Sequence, residues 1–398
     1  MKRRIVILFP NIPSNWSTDY PYQTANELIK KGYVVVLFRY QGSRSLKELI
    51  LETKKFHWWK KQRTQLYEIF PVDIIPLKRF PLIHEINYWI NIFTCIIWLY
   101  IRYRNKIDTK KKPILWFFSP VVSLRNAFCR FFVTLYDCVD YFRGDPLFTK
   151  KQKTMFIQQE NELIRLSDTV VVNSNILYTL HSKIRKDIRV VPQGFRLEEF
   201  RKKSITHIQF PKDKPIVGYV GALNYRLDYH LLATVAKKLP QYRFVFVGPL
   251  QEETTSLGKQ WLEYAKKNLF SLPNVTVIYG VDKNEIKAII CQFTIGMIPY
   301  DARQDFNRYC YPMKLFEYFY CGIPVISTPI EELTHFSKYI IIAESIDDWE
   351  KRIQSILNGK WLKTYQTEQK MIALQNSWEN KVYAIMSHLN EDDPIGKI

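Results

Sequence analysis

The sequence predicts two doubly wound α/β domains, on three observations. Short apolar runs bounded by Gly or Pro alternate with helical stretches, the chain of 398 residues exceeds one ordinary core, and a polar connector divides it near the middle. An apolar share of 47% beside 24% charged residues supplies the packed interiors and excludes a disordered or collagenous chain.

The second half carries the rhythm most clearly. PIVGYVG (215–221), RFVFVG (243–248), VTVIYG (275–280), TIGMIP (294–299) and PVIST (324–328) have the β-branched, unalternating character of strands buried on both faces. Residues 229–238, 260–268, 283–291 and 312–321 repeat apolar positions at helical spacing between them. In the first half, RIVILFP (4–10), YVVVLF (33–38), ILWFF (114–118), FVTLYD (132–137), TVVVN (169–173) and IRVVP (188–192) read as strands, and TDYPYQTANELIKKG as a crossover helix that Gly32 ends. The changeover is expected in the charged stretch 196–214, and the tail from about 347 to 389 is expected to be helical.

Residues 86–101 (INYWINIFTCIIWLYI) carry no charge but fall short of the roughly 20 apolar residues a spanning helix needs. A largely buried helix is the first expectation. An interfacial helix is the second, because the Trp/Tyr content and the following RYRNK suit a headgroup zone. The apolar run at 5–9 is too short for a signal-peptide core, so a cytosolic location is expected. Six scattered cysteines without a CxxC pair indicate neither a disulfide framework nor a zinc site, and His84, His181, His230 and His335 read as isolated.

Several chemistries are excluded by missing motifs. There is no GxxxxGK[ST], no strand followed by GxGxxG, no GxSxG and no HExxH, which disfavours a P-loop NTPase, an ordinary NAD enzyme, a serine hydrolase of that type and a zincin. The informative stretch is NRYCYPMKLFEYFYCGIPVIST (307–328). Pro312 opens a helix, Gly322 stops it and Pro324 leads into a strand, with Met313, Phe316 and Tyr320 expected on the core face. Lys314 and Glu317 share another face near the helix start, where anions are favoured, so a diphosphate can lie at Lys314 while Glu317 accepts hydrogen bonds from sugar hydroxyls. The alternative is a solvated Lys314–Glu317 ion pair. In the first half, Asp137 and Asp140 end a strand, where a doubly wound sheet places its ligands; one of them is expected to orient or deprotonate an acceptor hydroxyl, the other reading being a helix cap. Residues 11–16 follow the first strand and read either as an acceptor contact or as a surface loop.

The 307–328 stretch, together with VGYVGALNYRLDYHLLATVAKKLPQYRFVFVGP (217–249), LPNVTVIYG and NSWENKV, resembles the donor-binding domain of GT-B fold glycosyltransferases, in particular the bacterial family-4 type within glycosyl transferases group 1. The resemblance is strong across about residues 168–385 and looser through YQTANELIKKGY and LYDCVDYF. It implies two Rossmann-like domains facing a cleft, residues 1–200 for the acceptor and 201–380 for the nucleotide sugar, with 381–398 as a helix end and tail. It also implies that Glu317 binds the ribose of the donor and that Arg226, on the GALNYR loop with Gly221 and Asn224, meets its phosphates, with Asn307 and Tyr309 completing the donor site. Asp137, Asp140 and Arg226 are then the expected catalytic groups.

Three positions depart from the family pattern. Tyr309 stands where many relatives have an earlier glutamate, Ala222 where an arginine follows the loop glycine, and Gln193-Gly194-Phe195-Arg196 where N-G-V-D is common. The implied reaction is sugar transfer from a UDP- or GDP-sugar to a glycan or lipid-linked acceptor in bacterial surface polysaccharide synthesis, with retention and no required metal or other cofactor. A nucleotide-sugar epimerase or hydrolase of the same fold, and a catalytically silent scaffold of a polysaccharide-assembly complex, are the alternatives.

Charge adds a partner. The formal net charge is +20; the first 200 residues hold 33 basic and 17 acidic side chains, the remainder 25 and 21. With no nucleic-acid module in sight, the basic half is expected to meet an anionic membrane at its inner face rather than nucleic acid.

Overall fold

The computed structural model describes residues 2–10, 20–39, 44–45, 59–75, 81–120, 124–125, 127–251, 255–361 and 363–389. The expectation for residues 11–16 lies outside the described residues. Ten strands come from the first half: β1 (Ile5–Phe9), β2 (Val34–Phe38), β3 (Arg44–Ser45), β4 (Trp59–Arg63), β5 (Leu66–Ile69), β6 (Val72–Asp73), β7 (Ile114–Phe117), β8 (Val133–Cys138), β9 (Thr169–Val172) and β10 (Arg189–Val190). Six come from the second: β11 (Ile216–Val220), β12 (Arg243–Val247), β13 (Val275–Ile278), β14 (Ile295–Ile298), β15 (Val325–Ser327) and β16 (Ile341–Ile342).

They form two large sheets, ordered β10-β9-β8-β7-β1-β2-β5-β4 and β13-β12-β11-β14-β15-β16, while β3 and β6 pair in a separate two-stranded sheet. Every pairing is parallel except β4 with β5, an antiparallel edge whose turn holds Gln65 at φ 70°. The strand order reverses between β1 and β7 in the first sheet and between β11 and β14 in the second. Such a switch point opens a crevice at the carboxyl ends of the strands, so each domain brings one ligand-binding edge by topology alone.

β8 shows how pleating sorts the first core. Leu135 and Val139 join Ala25, Leu28 and Trp116 on one side of the sheet, while Tyr136 and Cys138 join Trp89, Leu163 and Leu177 on the other. The Trp378–Leu389 helix completes the first of these layers: it crosses back and places Val382, Ile385 and Met386 in that core.

The apolar segment becomes part of the Pro81–Tyr103 helix, and among the described residues no helix is long and apolar enough to cross a membrane. Tyr88, Trp89, Ile92, Cys95 and Leu99 are buried. The two asparagines that interrupt the run serve this burial. Asn91 accepts from Val72 N (3.0 Å) and donates to Val72 O (2.8 Å), and Asn87 does the same at Ile75 (2.7 and 2.8 Å). Its other face leaves Ile97 58% and Ile101 72% exposed.

The core register of the Lys314–Cys321 helix differs from expectation. Leu315, Phe316, Tyr318 and Phe319 are fully buried, whereas Met313 and Tyr320 are only partly so. The helix is covered from more than one side, by β14 and by the Lys363–Gln375 helix, which shifts the apolar stripe off the single face that spacing suggested.

Candidate functional site

The switch point of the second sheet is where the expected donor residues gather. β11 and β12 run into Gly221 (φ +150°) and Gly248 (φ +146°); a Cβ on Gly248 would overlap the Gly221 carbonyl, so the two strand ends approach as closely as they do only because Gly248 has none. Past Gly221, Asn224 accepts the Arg226 N–H on its Oδ1 (3.1 Å) and donates from Nδ2 to Gln251 (2.9 Å), which folds the loop back on itself. Asn224 thus shapes the loop from within.

Arg226 is held from every direction. Its Nε donates to Asn307 Oδ1 (2.9 Å), and Asn307 Nδ2 donates back to the Arg226 carbonyl (3.1 Å) and to that of Asp301 (3.1 Å). The guanidinium lies 4.7 Å from the Tyr300 ring centre and 4.5 Å from that of Phe306. Asn307 is fully buried, so its function is to fix the arginine. Lys314 approaches the other edge of Tyr300: its Nζ donates to the Tyr300 hydroxyl and sits 5.1 Å from the Tyr219 ring centre. Two cations thus flank one aromatic ring beside the Gly221 turn.

Across the cleft stands Asp140. Its carboxylate lies 3.9 Å from Arg226 Nη1 and accepts the Tyr20 hydroxyl at 3.1 Å. Burial pushes the Asp140 carboxyl up, while Arg226 and Tyr20 pull it back. Neighbouring contacts seal the same edge: Tyr225 Oη donates to Asp145 (3.2 Å), and the Tyr141 ring stands edge-on to Tyr309 at 5.2 Å. Tyr309, where relatives carry a glutamate, thereby serves as an aromatic contact between the domains.

Asp137 does not join this group, which corrects its expected place beside Asp140. Pleating sends the two side chains to different surroundings: Asp137 is fully buried, accepts from Trp116 Nε1 (3.3 Å) and faces Lys381 of the C-terminal helix at 3.7 Å.

Glu317 and Lys314 do not form the solvated pair that spacing allowed. Glu317 accepts from Arg196 Nη2 at 2.8 Å, and the same guanidinium reaches Glu199 at 2.9 Å. Arg196 and Glu317 are both buried against the domain junction. Arg196 occupies the last position of the Gln193–Arg196 element, and no signal short of the fold links it to a glutamate 121 residues away.

The isolated-histidine reading fails at one place. Among the described residues, Cys138, Glu160 and His181 come together in the first core, with Sγ 3.7 Å from His181 Nε2 and 3.9 Å from Glu160 Oε1. Glu160 is also engaged by Arg143 and, at 2.7 Å, by the Tyr136 hydroxyl, so the cluster is a buried hydrogen-bond network in which a cation already balances the carboxylate. An open cavity of 760 Å³ lies elsewhere on the second domain, lined by Asp228, Asp301, Arg303, Arg308, Glu331 and Trp349 among others, and none of the expected donor residues lines it.

Comparison with known proteins converges on this edge. Residues 200–373 match the glycosyl transferases group 1 family, a span that contains Gly221, Asn224, Arg226, Asn307, Lys314 and Glu317. Over nearly their whole lengths, solved glycosyltransferases superpose on both domains. Sucrose-phosphate synthase of Thermosynechococcus elongatus does so with a TM-score of 0.72 at 14% identity, covering 98% of this chain and 99% of that one. The chain has the GT-B fold, and its second half carries a glycosyl transferases group 1 domain. The transferase is also similar to HepE of Anabaena, solved with UDP and glucose (TM-score 0.62, 13% identity, 98% of this chain and 100% of that one). In sequence it is 22% identical over 290 residues to TuaH of Bacillus subtilis, a glycosyltransferase assigned to teichuronic acid biosynthesis, spanning 69% of this chain and 71% of TuaH.

Proposed function

We propose that the transferase moves a sugar from a UDP- or GDP-sugar to a glycan or lipid-linked acceptor during synthesis of a cell-surface polysaccharide, as a family-4 type enzyme that retains anomeric configuration and requires no metal. The observation that carries this reading is the pair of cations, Arg226 and Lys314, fixed on Tyr300 at the switch point of the second sheet and facing Asp140 of the first domain. Preorganised positive charge at a crevice of this kind stabilises a departing diphosphate, the main electrostatic demand of the transfer. TuaH supports the polysaccharide assignment, and HepE with UDP supports the donor class.

In this reading residues 201–380 hold the donor and residues 1–200 the acceptor, and the Trp378–Leu389 helix packs back on the acceptor domain. Glu317 takes the ribose, and Gly221, Asn224, Asn307 and Tyr309 shape the donor pocket around Arg226 and Lys314. Asp140 orients the acceptor hydroxyl. The protein acts in the cytoplasm at the inner membrane face, where the basic first domain meets anionic lipid.

A thermal-shift screen of UDP- and GDP-sugars tests the donor class, since a ligand bound only by the native state raises the melting temperature. Stabilisation by one of them, followed by turnover that depends on added acceptor, is the expected result. Turnover without acceptor would indicate a hydrolase or epimerase, and no stabilisation by any nucleotide sugar would indicate a scaffold.

A further inference from the structure

Two cysteines outside the site meet at the end of the donor helix. Cys321 is the last residue of the Lys314–Cys321 helix, and Cys291 directly follows the Ile286–Ile290 helix that packs beside it. Their sulfurs are 3.4 Å apart. Cys291 is solvent-exposed and Cys321 partly so, unlike the buried Cys95, Cys138 and Cys310.

We propose that Cys291 and Cys321 are a redox modification site: a thiol pair that hydrogen peroxide converts to a disulfide bracketing residues 291–321. The geometry favours the pair over single-site oxidation. A disulfide needs its sulfurs at about 2.05 Å, so each has to move by less than about 1 Å, within reach of side-chain rotation. Access and activation fall on the same residue. Contact with Cys321 and the Lys287 ammonium lower the exposed Cys291 thiol to about 7, against the burial that raises it, whereas the three buried cysteines are held well above the ordinary thiol range.

The step balances without a group the protein must supply. The Cys291 thiolate attacks one peroxide oxygen, the O–O bond breaks, and the other oxygen leaves as water after taking a proton, giving a sulfenic acid at Cys291. Cys321 then attacks the Cys291 sulfur; the S–S bond forms, the S–O bond breaks and a second water departs. Two thiols are oxidised and one peroxide is reduced. Cys321 is the resolving residue because it is already in contact and half-shielded.

The bracketed segment contains Tyr300, Asn307, Lys314 and Glu317, and its far end is pinned one helical turn past Glu317. This places the modification where it can reach the donor helix without any of the donor residues being oxidised.

Peroxide treatment of the full-length protein, followed by alkylation and tryptic mapping, tests the proposal without reference to turnover. Alkylatable thiols are expected to fall from six to four. A single dithiothreitol-reversible cross-link should join peptide 288–303 to peptide 315–338, with a mass about 2 Da below the sum of the two. Cys291→Ser and Cys321→Ser should each abolish the cross-link. Stable sulfinic acid at Cys291 with Cys321 still alkylatable, or loss of thiols at other cysteines while these two stay free, would overturn it.

Discussion

Arg226 is the residue on which the site turns, because the protein spends two side chains and two aromatic faces to hold it still. Asn307 holds Arg226 at both its side chain and its carbonyl, and Tyr300 and Phe306 supply the faces. Arg226→Ala is therefore expected to lower donor turnover by about 10²- to 10³-fold, the usual cost of removing one preorganised group that meets developing charge. Steady-state kinetics with the donor identified by thermal shift checks it, and wild-type rates would sink the assignment. Glu317 calls for a different control. Because Arg196 is buried against it, Glu317→Ala strands a buried cation on Glu199 alone and is expected to cost about 1–3 kcal/mol of stability as well as activity. Glu317→Gln still accepts from Arg196, so it should melt closer to wild type while losing turnover; unfolding by the amide variant would make Glu317 a structural residue only. Lys314 and Glu317 are legible in the sequence from helix-start chemistry, and Arg226 from the resemblance of the GALNYR loop to the family pattern. Arg196 and Asn307 as their partners were not, since both pairings span more than eighty residues and depend on how the sheets are threaded.

The Trp378–Leu389 helix shows the same limit one scale up. Helical periodicity announces it, but the chain gives no sign that its apolar face packs on Ala25 and Leu28 near the other end of the sequence. Strand rhythm recovered the buried parallel strands, which depend on composition alone. The antiparallel β4–β5 edge, rich in Lys, Arg and Gln, and the two-residue β16 escaped, because edge and very short strands carry little apolar signal. The helix is fastened by Lys381, which faces Asp137 at 3.7 Å with both side chains buried. Burial raises the Asp137 carboxyl and lowers the Lys381 ammonium, while each partner opposes the other's shift. The raised aspartate favours folding at acid pH and loses that contribution as pH rises through its folded value. The lowered lysine favours folding at alkaline pH and loses its contribution as pH falls through its folded value. Asp137→Leu or Lys381→Met alone is expected to destabilise by about 3–5 kcal/mol, because each leaves an unpaired buried charge, whereas the double variant should return to near or above wild-type stability. Denaturant unfolding at pH 7 reads the cycle, and additive single losses would show that the two groups do not act as a pair.

For the whole molecule, the surplus of charge and the exposed apolar face fall in the same domain. The first 200 residues carry 33 basic against 17 acidic side chains. On the Pro81–Tyr103 helix, Ile97 (58% exposed) and Ile101 (72%) continue a stripe that begins at Phe93, whose ring meets Phe128 at 5.3 Å and Phe131 at 6.3 Å. Phe128 and Phe131 are themselves exposed, and Arg102, Arg104, Lys106 and Arg130 stand in solvent around them. On the proposed membrane reading this strip inserts at the headgroup boundary of an anionic bilayer, where each basic side chain contributes about 1 kcal/mol and each inserted apolar one about 1.5–3 kcal/mol. It does not match a nucleic acid, which would meet the cations but leave Ile97 and Ile101 wet. Salt separates the two contributions, because it screens the arginines over about 10 Å at 0.1 M without weakening burial of the isoleucines. Vesicles containing phosphatidylglycerol should therefore pellet the protein at low salt and less of it as salt rises. Ile97→Glu with Ile101→Glu should reduce the bound fraction at least about 10-fold at every salt concentration. Turnover of a soluble acceptor should be unchanged by that pair of substitutions, since both residues lie on the solvent-exposed face of the Pro81–Tyr103 helix. Indifference of the wild-type protein to anionic vesicles at low salt would remove the membrane from the account and leave the basic surface to the acceptor alone.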